Sequence, residues 1–468
     1  MLERMPLRVL HVNSHDLGGG AERVAGTLAD GLRRRGHKVC MAVGFKRGTD
    51  PHVVELTDAA DGVWDRVRRH LDASLAPFAG RIPGPGRARV WLRRVGRRQR
   101  LLDWWRGRET FEWPASRTYL SDVASRFDVV HLHNLHSDYF DLELLPRLSR
   151  SVPVIATLHD EWMLTGHCAC TLGCERWRVG CGQCPDLSIY PAIRRDATAD
   201  NWERKRKIFA ASRLVIVTPS HWLGTRVSAS ALAPAAIRTA VVPNGIDLRR
   251  FCPGDRALAR HKLALPAEAD VVVFTASGGE ANRFKDHQTL RTAMAMVSVK
   301  RFGNRPLCLV LFGSQGEPRT INGYTEHPIR LPAGSDLIPE IYRAADVYVH
   351  ASNADNFPLG VLEALACGIP VVATAVGGIP DQFPAITALP LAASTQATQG
   401  APAGLLVPPR DAPSMADAIL RILAERRFAR ELGATAHDVA VANYDAEAMV
   451  TQYERLYEDA LGAHRTPT

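Results

Sequence analysis

Residues 346–375 read DVYVHASNADNFPLGVLEALACGIPVVATA. The first seven, DVYVHAS, are a short run rich in Val and Tyr, the composition of a buried strand. A polar loop follows. Pro358 suits the first turn of a helix, and residues 358–367 carry their apolar side chains at helical spacing. PVVATA (370–375) then returns to strand. Strand, crossover helix and strand join parallel neighbours, and two strands this apolar need helices over both faces of their sheet.

The same rhythm extends outward in both directions. In the second half, DVVVFTA (270–276), PLCLVLFG (306–313) and GLLVP (404–408) read as strands, with helices at about 285–301, 336–345 and 412–427. In the first half, LRVLHVN (7–13) leads into a glycine loop and an amphipathic helix from about Ala21 to Arg35, then VCMAV (39–43). DVVHLHN (128–134), VPVIATLHD (152–160) and RLVIVTPS (213–220) read as buried parallel strands, and AVVPNGID (240–247) closes the series. Two such series predict an α/β chain of two doubly wound domains, residues 1–250 and 251–444, joined near 245–265. A last helix, within 445–468, follows no new strand and is expected to pack back on the first domain. In this architecture ligands sit beyond the carboxyl ends of strands, and two facing domains enclose a cleft.

Composition narrows the field. Of 468 residues, 46% are apolar and 23% charged, which suits a globular chain and argues against disorder or coiled coil. No apolar run reaches the roughly 18 residues of a spanning helix. The opening MLERMPLRVLHV enters a strand with no export signature, so the expected compartment is the cytoplasm. Net charge is +9, and the window Asp61–Thr110 alone holds 13 Arg against 5 acids. This insertion, about 61–127, reads as a contact for an anionic membrane surface, with a merely solvated Arg-rich face as the alternative. No nucleic-acid-binding signature accompanies the charge.

The chemistry-bearing residues stand just after strands. Gly18, Gly19 and Gly20 follow the first and open a helix, whose N–H groups favour an anionic or polyhydroxylated ligand. The spacing is not that of the dinucleotide fingerprint. In the loop and helix after DVYVHAS, Asp355 and Glu363 are two carboxylates that can accept hydrogen bonds from the paired hydroxyls of sugars. The N–H groups from Phe357 through Pro358 and Leu359 to Gly360, with Asn356 before them, mark a helix start able to meet a phosphate. Lys285, with Arg283 beside it, follows DVVVFTA and can neutralise a diphosphate. His159 ends VPVIATLHD, and His131 and His133 are near it in the neighbouring strand. Each residue alone has a plain structural reading; their common position after strands gives them weight together.

These stretches also carry a resemblance. GGGAE, TLHD, VVPNGID, FKD, DNFPLGVLEALACGIPVVAT and GGIPD together resemble glycosyltransferase family 4, retaining enzymes of the GT-B type that use nucleotide sugars, over residues 18 to about 407. TLHDEWMLTGHC and CERWRVGCGQCPDL further resemble members found in bacterial exopolysaccharide and capsule assembly. The resemblance implies a first, acceptor-binding domain and a second, nucleotide-sugar-binding one. It implies that Asp355 binds donor-sugar hydroxyls, Glu363 the ribose, Lys285 the diphosphate, that His159 stands beside the reaction centre, and that Gly19 and Gly20 lie near phosphate and acceptor. The chain departs from the pattern twice. Asp355 stands where Glu is usual, and Glu280 where an arginine is common, so Arg283 is the substitute cation.

The implied reaction moves a sugar from a UDP- or GDP-sugar to a hydroxyl of a glycan or polyprenyl-diphosphate-linked acceptor, with no catalytic metal. A non-catalytic sugar-nucleotide binder of the same fold is one alternative, and a glycoside hydrolase using Asp355 and Glu363 is another. Of the nine cysteines, five lie between Cys168 and Cys184. Cys168, Cys174, Cys181 and Cys184 are spaced C-x5-C-x6-C-x2-C, with His167 and Cys170 interleaved, and are expected to hold a structural zinc; a reduced metal-free loop is the alternative. Cys40, Cys252, Cys308 and Cys367 read as core fillers.

Overall fold

The computed structural model describes residues 5–56, 71, 74, 75, 98–275, 282–301, 304–332, 334–384 and 403–465. Most of the Arg-rich segment and Glu280 therefore lie outside the described residues. The chain forms two compact units. One runs to Thr218 and takes in Gly224–Ala240 and the end of the chain from Glu454; the other comprises Pro219–Leu223 and Val241–Tyr453.

The first unit is built on β1 (Arg8–His15), β2 (Lys38–Phe45), β3 (Val53–Glu55), β4 (Val129–Leu132), β5 (Val154–Thr157), β6 (Leu214–Thr218) and β7 (Ala236–Val241), in the order β3-β2-β1-β4-β5-β6-β7. The second is built on β8 (Asp270–Thr275), β9 (Leu307–Phe312), β10 (Arg319–Ile321), β11 (Tyr324–Ile329), β12 (Val347–His350), β13 (Val371–Thr374) and β14 (Leu405–Val407), ordered β10-β11-β9-β8-β12-β13-β14. Both are doubly wound. The order turns back on itself between β1 and β4 in one sheet and between β8 and β12 in the other. Such a switch point opens a crevice at the carboxyl ends of its two strands.

Burial explains the strands. In the second unit Val271, Val272, Val273 and Phe274 are buried, as are Val347, Tyr348 and Val349 beside them, because helices cover both faces. Val272, Phe274, Val347 and Val349 join one continuous core with Leu290, Met294 and Val297 of the helix His287–Lys300 and Met415, Ile419 and Ile422 of the helix Ala412–Ala424.

The all-parallel expectation fails at one edge. β10 runs antiparallel to β11, and the two residues between them, Asn322 and Gly323, have φ of 48° and 80°. Two successive positive φ values in an Asn-Gly pair make the tight hairpin whose twist suits its strands. The single helix expected over 412–427 also divides. Glu425 takes ψ 77, outside the helical range, and Arg426–Asn443 begins a new helix. In that helix Gly433 passes so close that an added Cβ would lie 2.3 Å from the Gly368 carbonyl oxygen. Of the four cysteines read as core fillers, Cys308 and Cys367 are buried, whereas Cys40 and Cys252 are only half-buried. The last helix, Ala446–Arg465, sends Glu454 to Arg35 and to His37, whose Nε2 lies 2.9 Å from it.

Asp346, just before β12, is 4% exposed and accepts 2.8 Å bonds from Arg260, Arg256 and the Val271 amide, and one at 3.2 Å from Arg426. It ties the start of β12 to β8 and to two helices. Removing one partner from a buried charge network costs about 3 kcal/mol. Asp346→Ala should lower unfolding stability by about that much in urea titration; a shift under roughly 0.5 kcal/mol, the size of an ordinary surface change, would show that the network is dispensable.

Candidate functional site

The switch point of the second sheet lies between β8 and β12, and the loops after these strands are laced together. Lys285 and Ser352 form an antiparallel bridge, the Asp286 amide donates to the Ala351 carbonyl at 3.1 Å, and the Asn353 amide to the Phe284 carbonyl at 2.9 Å. Asp286 then caps the helix His287–Lys300 by accepting from the Thr289 amide. A short ribbon thus carries Lys285 across to the loop after β12.

There Lys285 Nζ lies 2.9 Å from Asp355 Oδ2, 3.1 Å from His350 Nε2 and 3.3 Å from Ser352 Oγ. His350 Nε2 is 3.2 Å from the same Asp355 oxygen, and its Nδ1 is 3.1 Å from the Tyr348 hydroxyl, which lies 3.0 Å from Thr275 Oγ1. Burial alone would push the Asp355 carboxyl up, but the Lys285 charge and the His350 hydrogen bond outweigh it and hold the carboxyl well below its usual range. Burial, reinforced by Lys285, lowers His350 to about 4, so near neutral pH it is an uncharged ring between an anion and a hydroxyl.

The helix Leu359–Ala366 starts four residues after Asp355, with Pro358 at its N-cap rather than inside it. Its approach is held by backbone carbonyls: that of Phe357 accepts from Asn244 Nδ2 at 3.2 Å and that of Pro358 from Gln382 Nε2 at 3.0 Å. Asn356 Oδ1 accepts from the Ser220 hydroxyl at 2.7 Å. Two backbone carbonyls and the Asn356 side chain thus anchor this stretch, and what it can offer a ligand is the amide N–H groups of a helix start. Glu363 projects from the helix interior, 2% exposed, and accepts from the Tyr342 hydroxyl. The two carboxylates stay separate: Asp355 is paired with a cation, Glu363 with a phenol. Gly360 lets the helix pass close to β12, since an added Cβ would lie 2.5 Å from the Tyr348 hydroxyl.

The loop Gly377–Asp381 presses on this turn from behind. The Gly378 amide donates to the Asp355 carbonyl at 3.2 Å, and Asp381 Oδ2 accepts from the Trp222 amide at 2.9 Å. An added Cβ on Gly377, whose φ is +58°, would stand 1.9 Å from the Asp355 carbonyl oxygen, and one on Gly378 would stand 2.0 Å from that of Asn356.

Of the expected residues, Lys285 and Asp355 are thus brought into contact and Glu363 lies on the adjoining helix. Arg283 is exposed, and its carbonyl accepts from Asn353 Nδ2 at 3.2 Å. His350, Ser352 and Tyr342 were not singled out by the sequence, and Gly377 was quoted only within the motif GGIPD. A polar His at the end of an apolar strand, two residues before the loop, is the signal that could have found His350.

In the first unit, Gly19 is the N-cap of the helix Gly20–Arg34, with no side chain capping it. His159 lies two residues past β5, its Nε2 3.0 Å from His133 Nδ1, and burial lowers it to about 4 despite the neighbouring Asp160. The cysteine loop has features of a zinc knuckle: Cys181 at φ 56°, the Gly166 amide 3.3 Å from Cys181 Sγ, and His167 Nε2 3.3 Å from Cys184 Sγ. The four expected sulfurs stand apart from one another. Among the described residues, the one group of three or more His, Cys, Asp or Glu whose ligand atoms all lie within 4.8 Å of one another is His11, His131 and His133, so no three of Cys168, Cys174, Cys181 and Cys184 are that close. Burial pushes the Cys168 thiol up to about 12 and Cys181 up to about 11, keeping both protonated as they stand. Among the described residues, no helix is long and apolar enough to cross a membrane.

Residues 18–250 match the family model described as Glycosyltransferase Family 4, and residues 269–425 the model described as Glycosyl transferases group 1. WcaC of Escherichia coli K12, named as a glycosyl transferase of colanic acid biosynthesis, is 30% identical over 257 residues, 53% of this chain and 59% of its own length. D-inositol 3-phosphate glycosyltransferase of Saccharomonospora viridis is 32% identical over 285 residues, 57% of this chain and 61% of its own. The chain thus spans about three-fifths of the length of these curated relatives, 59% and 61%. The structure of Anabaena HepE with UDP and glucose superposes with a TM-score of 0.62 at 15% identity, covering 97% of this chain and 100% of that one, a likeness of fold.

The packing of Gly377 yields a test of the site. Gly377→Ala forces a left-handed φ on a residue with a Cβ and drives that carbon into the Asp355 carbonyl. It should cost about 2 kcal/mol or more, seen as a lowered melting temperature. Gly462→Ala, where nothing lies within 4 Å of the new methyl group, should cost nothing. Equal melting of the two variants would mean that the loop does not brace the Asp355 turn.

Proposed function

The chain belongs to the family 4 glycosyltransferases of the GT-B type, and from that premise we propose that it is a retaining enzyme moving a sugar from a nucleotide diphosphate donor to an acceptor hydroxyl. The observation that carries the reading is Lys285, held 2.9 Å from Asp355 beside the start of the helix Leu359–Ala366. One ammonium and a ring of helix amides in the same crevice are what a departing diphosphate requires.

In the proposed reaction the bond between the anomeric carbon and the diphosphate oxygen breaks, and a bond from that carbon to the acceptor oxygen forms on the same face. The acceptor's proton leaves with the diphosphate. Lys285 and the amides at Leu359 and Gly360 take up the growing negative charge. Asp355, kept ionised, accepts from hydroxyls of the donor sugar. Glu363 takes the ribose hydroxyls, with Tyr342 fixing its carboxylate. His159 stands at the reaction centre from the first unit, and Gly19 and Gly20 open a helix near phosphate and acceptor. Arg283, exposed at the rim, is a secondary cation for the donor.

A UDP-sugar is favoured over a GDP-sugar because HepE, of similar fold, is described with UDP and glucose. The acceptor is proposed to be a glycan or polyprenyl-diphosphate-linked glycan of exopolysaccharide assembly, following the likeness to WcaC, with the protein at the cytoplasmic face of a membrane. The Arg-rich segment, most of it outside the described residues, would hold it there. The hydrolase alternative loses ground on geometry, because Asp355 is ion-paired and Glu363 is bound to a tyrosine, so neither stands as a ready acid. The cysteine loop is proposed to close on one zinc, its sulfurs drawing together from their present separation; the knuckle geometry at Cys181 and Cys184 supports this.

Three measurements follow. UDP-glucose should raise the melting temperature of the chain, since a ligand of the folded state stabilises it by mass action. Lys285→Ala should abolish that rise and lower turnover about 100-fold with its circular dichroism unchanged. Near-normal turnover in this variant would remove the phosphate role. Elemental analysis of freshly purified protein should find about one zinc per chain, the content of one tetrahedral thiolate site; metal-free, fully active protein would overturn the zinc assignment.

A further inference from the structure

Three histidines of the first sheet are joined ring to ring. His11 Nδ1 lies 2.9 Å from His133 Nε2, and His133 Nδ1 lies 3.0 Å from His159 Nε2. The rings of each pair are nearly parallel, at 11° and 19°. The chain runs from the middle of β1, past the end of β4, to the residue His159 beyond β5. His131 packs against it without being a link, its two nitrogens each 2.7 Å from a hydroxyl, those of Tyr457 and Thr157.

Burial keeps these rings uncharged: His11 falls to about 3, His159 to about 4, and His131 and His133 are lowered well below the ordinary range. A neutral imidazole carries one N–H and one lone pair. Each ring-to-ring bond therefore has one donor, and the choice made in one bond dictates the other, because His133 has a single proton to share between its two neighbours. Only two arrangements keep all three rings neutral. In the first, His11 Nδ1 donates to His133 and His133 Nδ1 donates to His159 Nε2, so His159 carries its own proton on Nδ1. In the second, every proton moves to the other nitrogen, and His11 Nε2 becomes an N–H.

The environment of His11 decides between them. His11 is 0% exposed and its Nε2 is buried with no hydrogen-bond partner among the described residues. The second arrangement would bury an N–H with nothing to receive it, the rarest kind of unsatisfied backbone or ring polar group. The first leaves only a lone pair there, and the positive charge of Arg33, which acts on this ring, favours a lone pair over an N–H.

We propose that His11 and His133 are positioning residues that lock His159 as its Nδ1–H tautomer, so that His159 serves the reaction as a neutral polar group and never as a base. Its Nε2 lone pair is occupied by the N–H of His133, and its other nitrogen already holds a proton. The tautomer stands on the ring-to-ring contacts and the burial of the rings; its bearing on sugar transfer rests on the proposed placement of His159 at the reaction centre.

The test uses the full chain with ring-15N-labelled histidine, read by long-range ring N–H correlations at about pH 7, where neutral tautomers are distinguished. His159 is identified by the signals lost in His159→Asn. Its Nδ1 should be pyrrole-like and its Nε2 pyridine-like, and His133 and His11 should show the same pattern. His133→Asn keeps an N–H where Nδ1 was, so it should preserve the His159 pattern and stay within about threefold of normal turnover. His133→Leu removes the donor; it should shift His159 toward Nε2–H and lower kcat about tenfold, with the donor KM changed far less. An Nε2–H on His159 in the unmodified chain overturns the proposal. So does an unchanged His159 pattern in a folded His133→Leu variant. So does one equivalent of a divalent metal that is lost in His11→Ala, because His11, His131 and His133 would then be ligands instead of a relay. Full turnover in His159→Ala would instead refute the placement of His159 at the reaction centre, leaving the tautomer result standing.

Discussion

The pairing of Lys285 with Asp355 is the constraint around which the second unit's crevice is arranged. Neither group is freely solvated, with side-chain exposures of 11% and 24%, and each would be costly there without the other. Seventy residues of chain separate them. Three devices close that distance: adjacent strands β8 and β12, the short ribbon through Lys285 and Ser352, and the glycines at 377 and 378 that let a second loop lie against the Asp355 turn. Each acts on backbone, so the ion pair does not depend on a long side chain finding its partner. A preorganised cation of this kind need not be reoriented when negative charge develops beside it.

The two carboxylates of the same turn show how environment divides their roles. Asp355 sits in the loop, where a cation and a neutral histidine hold it ionised. Glu363 lies on the helix behind it, nearly unexposed, with a tyrosine hydroxyl as partner. Gly360 makes this layering workable, since a side chain there would drive the helix away from Tyr348 and Thr275, which lie 2.5 and 3.3 Å from where its Cβ would stand. The tyrosine, threonine and histidine hydroxyl and ring contacts thus form one layer beneath the helix start.

How much of this was legible in the sequence depends on which physical signal each part leaves. The strands were legible because burial on both faces forces continuous apolar runs, and Lys285, Asp355 and Glu363 stood out because each follows such a run. The hairpin at Asn322-Gly323 left its signal in full, but its flanking segments RTI and YTEHPI are too polar to read as buried strands. The break at Glu425 left none: Ala, Glu and Arg surround it, all good helix formers, and tertiary packing of the next helix on Gly368 overrides local preference. His350 was hidden by its strand, where a lone histidine reads as core. The cysteine spacing suggested a closed tetrahedron, and spacing alone cannot say how near the sulfurs come.

The two units differ in their electrostatics. The second supplies full charges, a lysine and an ionised aspartate, fixed against each other. The first supplies neutral rings whose protons are ordered by hydrogen bonding. A neutral ladder adds polarity to the interior of the first unit without adding a charge that would have to be desolvated. It also withholds a base. The buried His11, His131 and His133 and the half-buried His159, all lowered by desolvation, supply that polarity as uncharged rings near neutral pH.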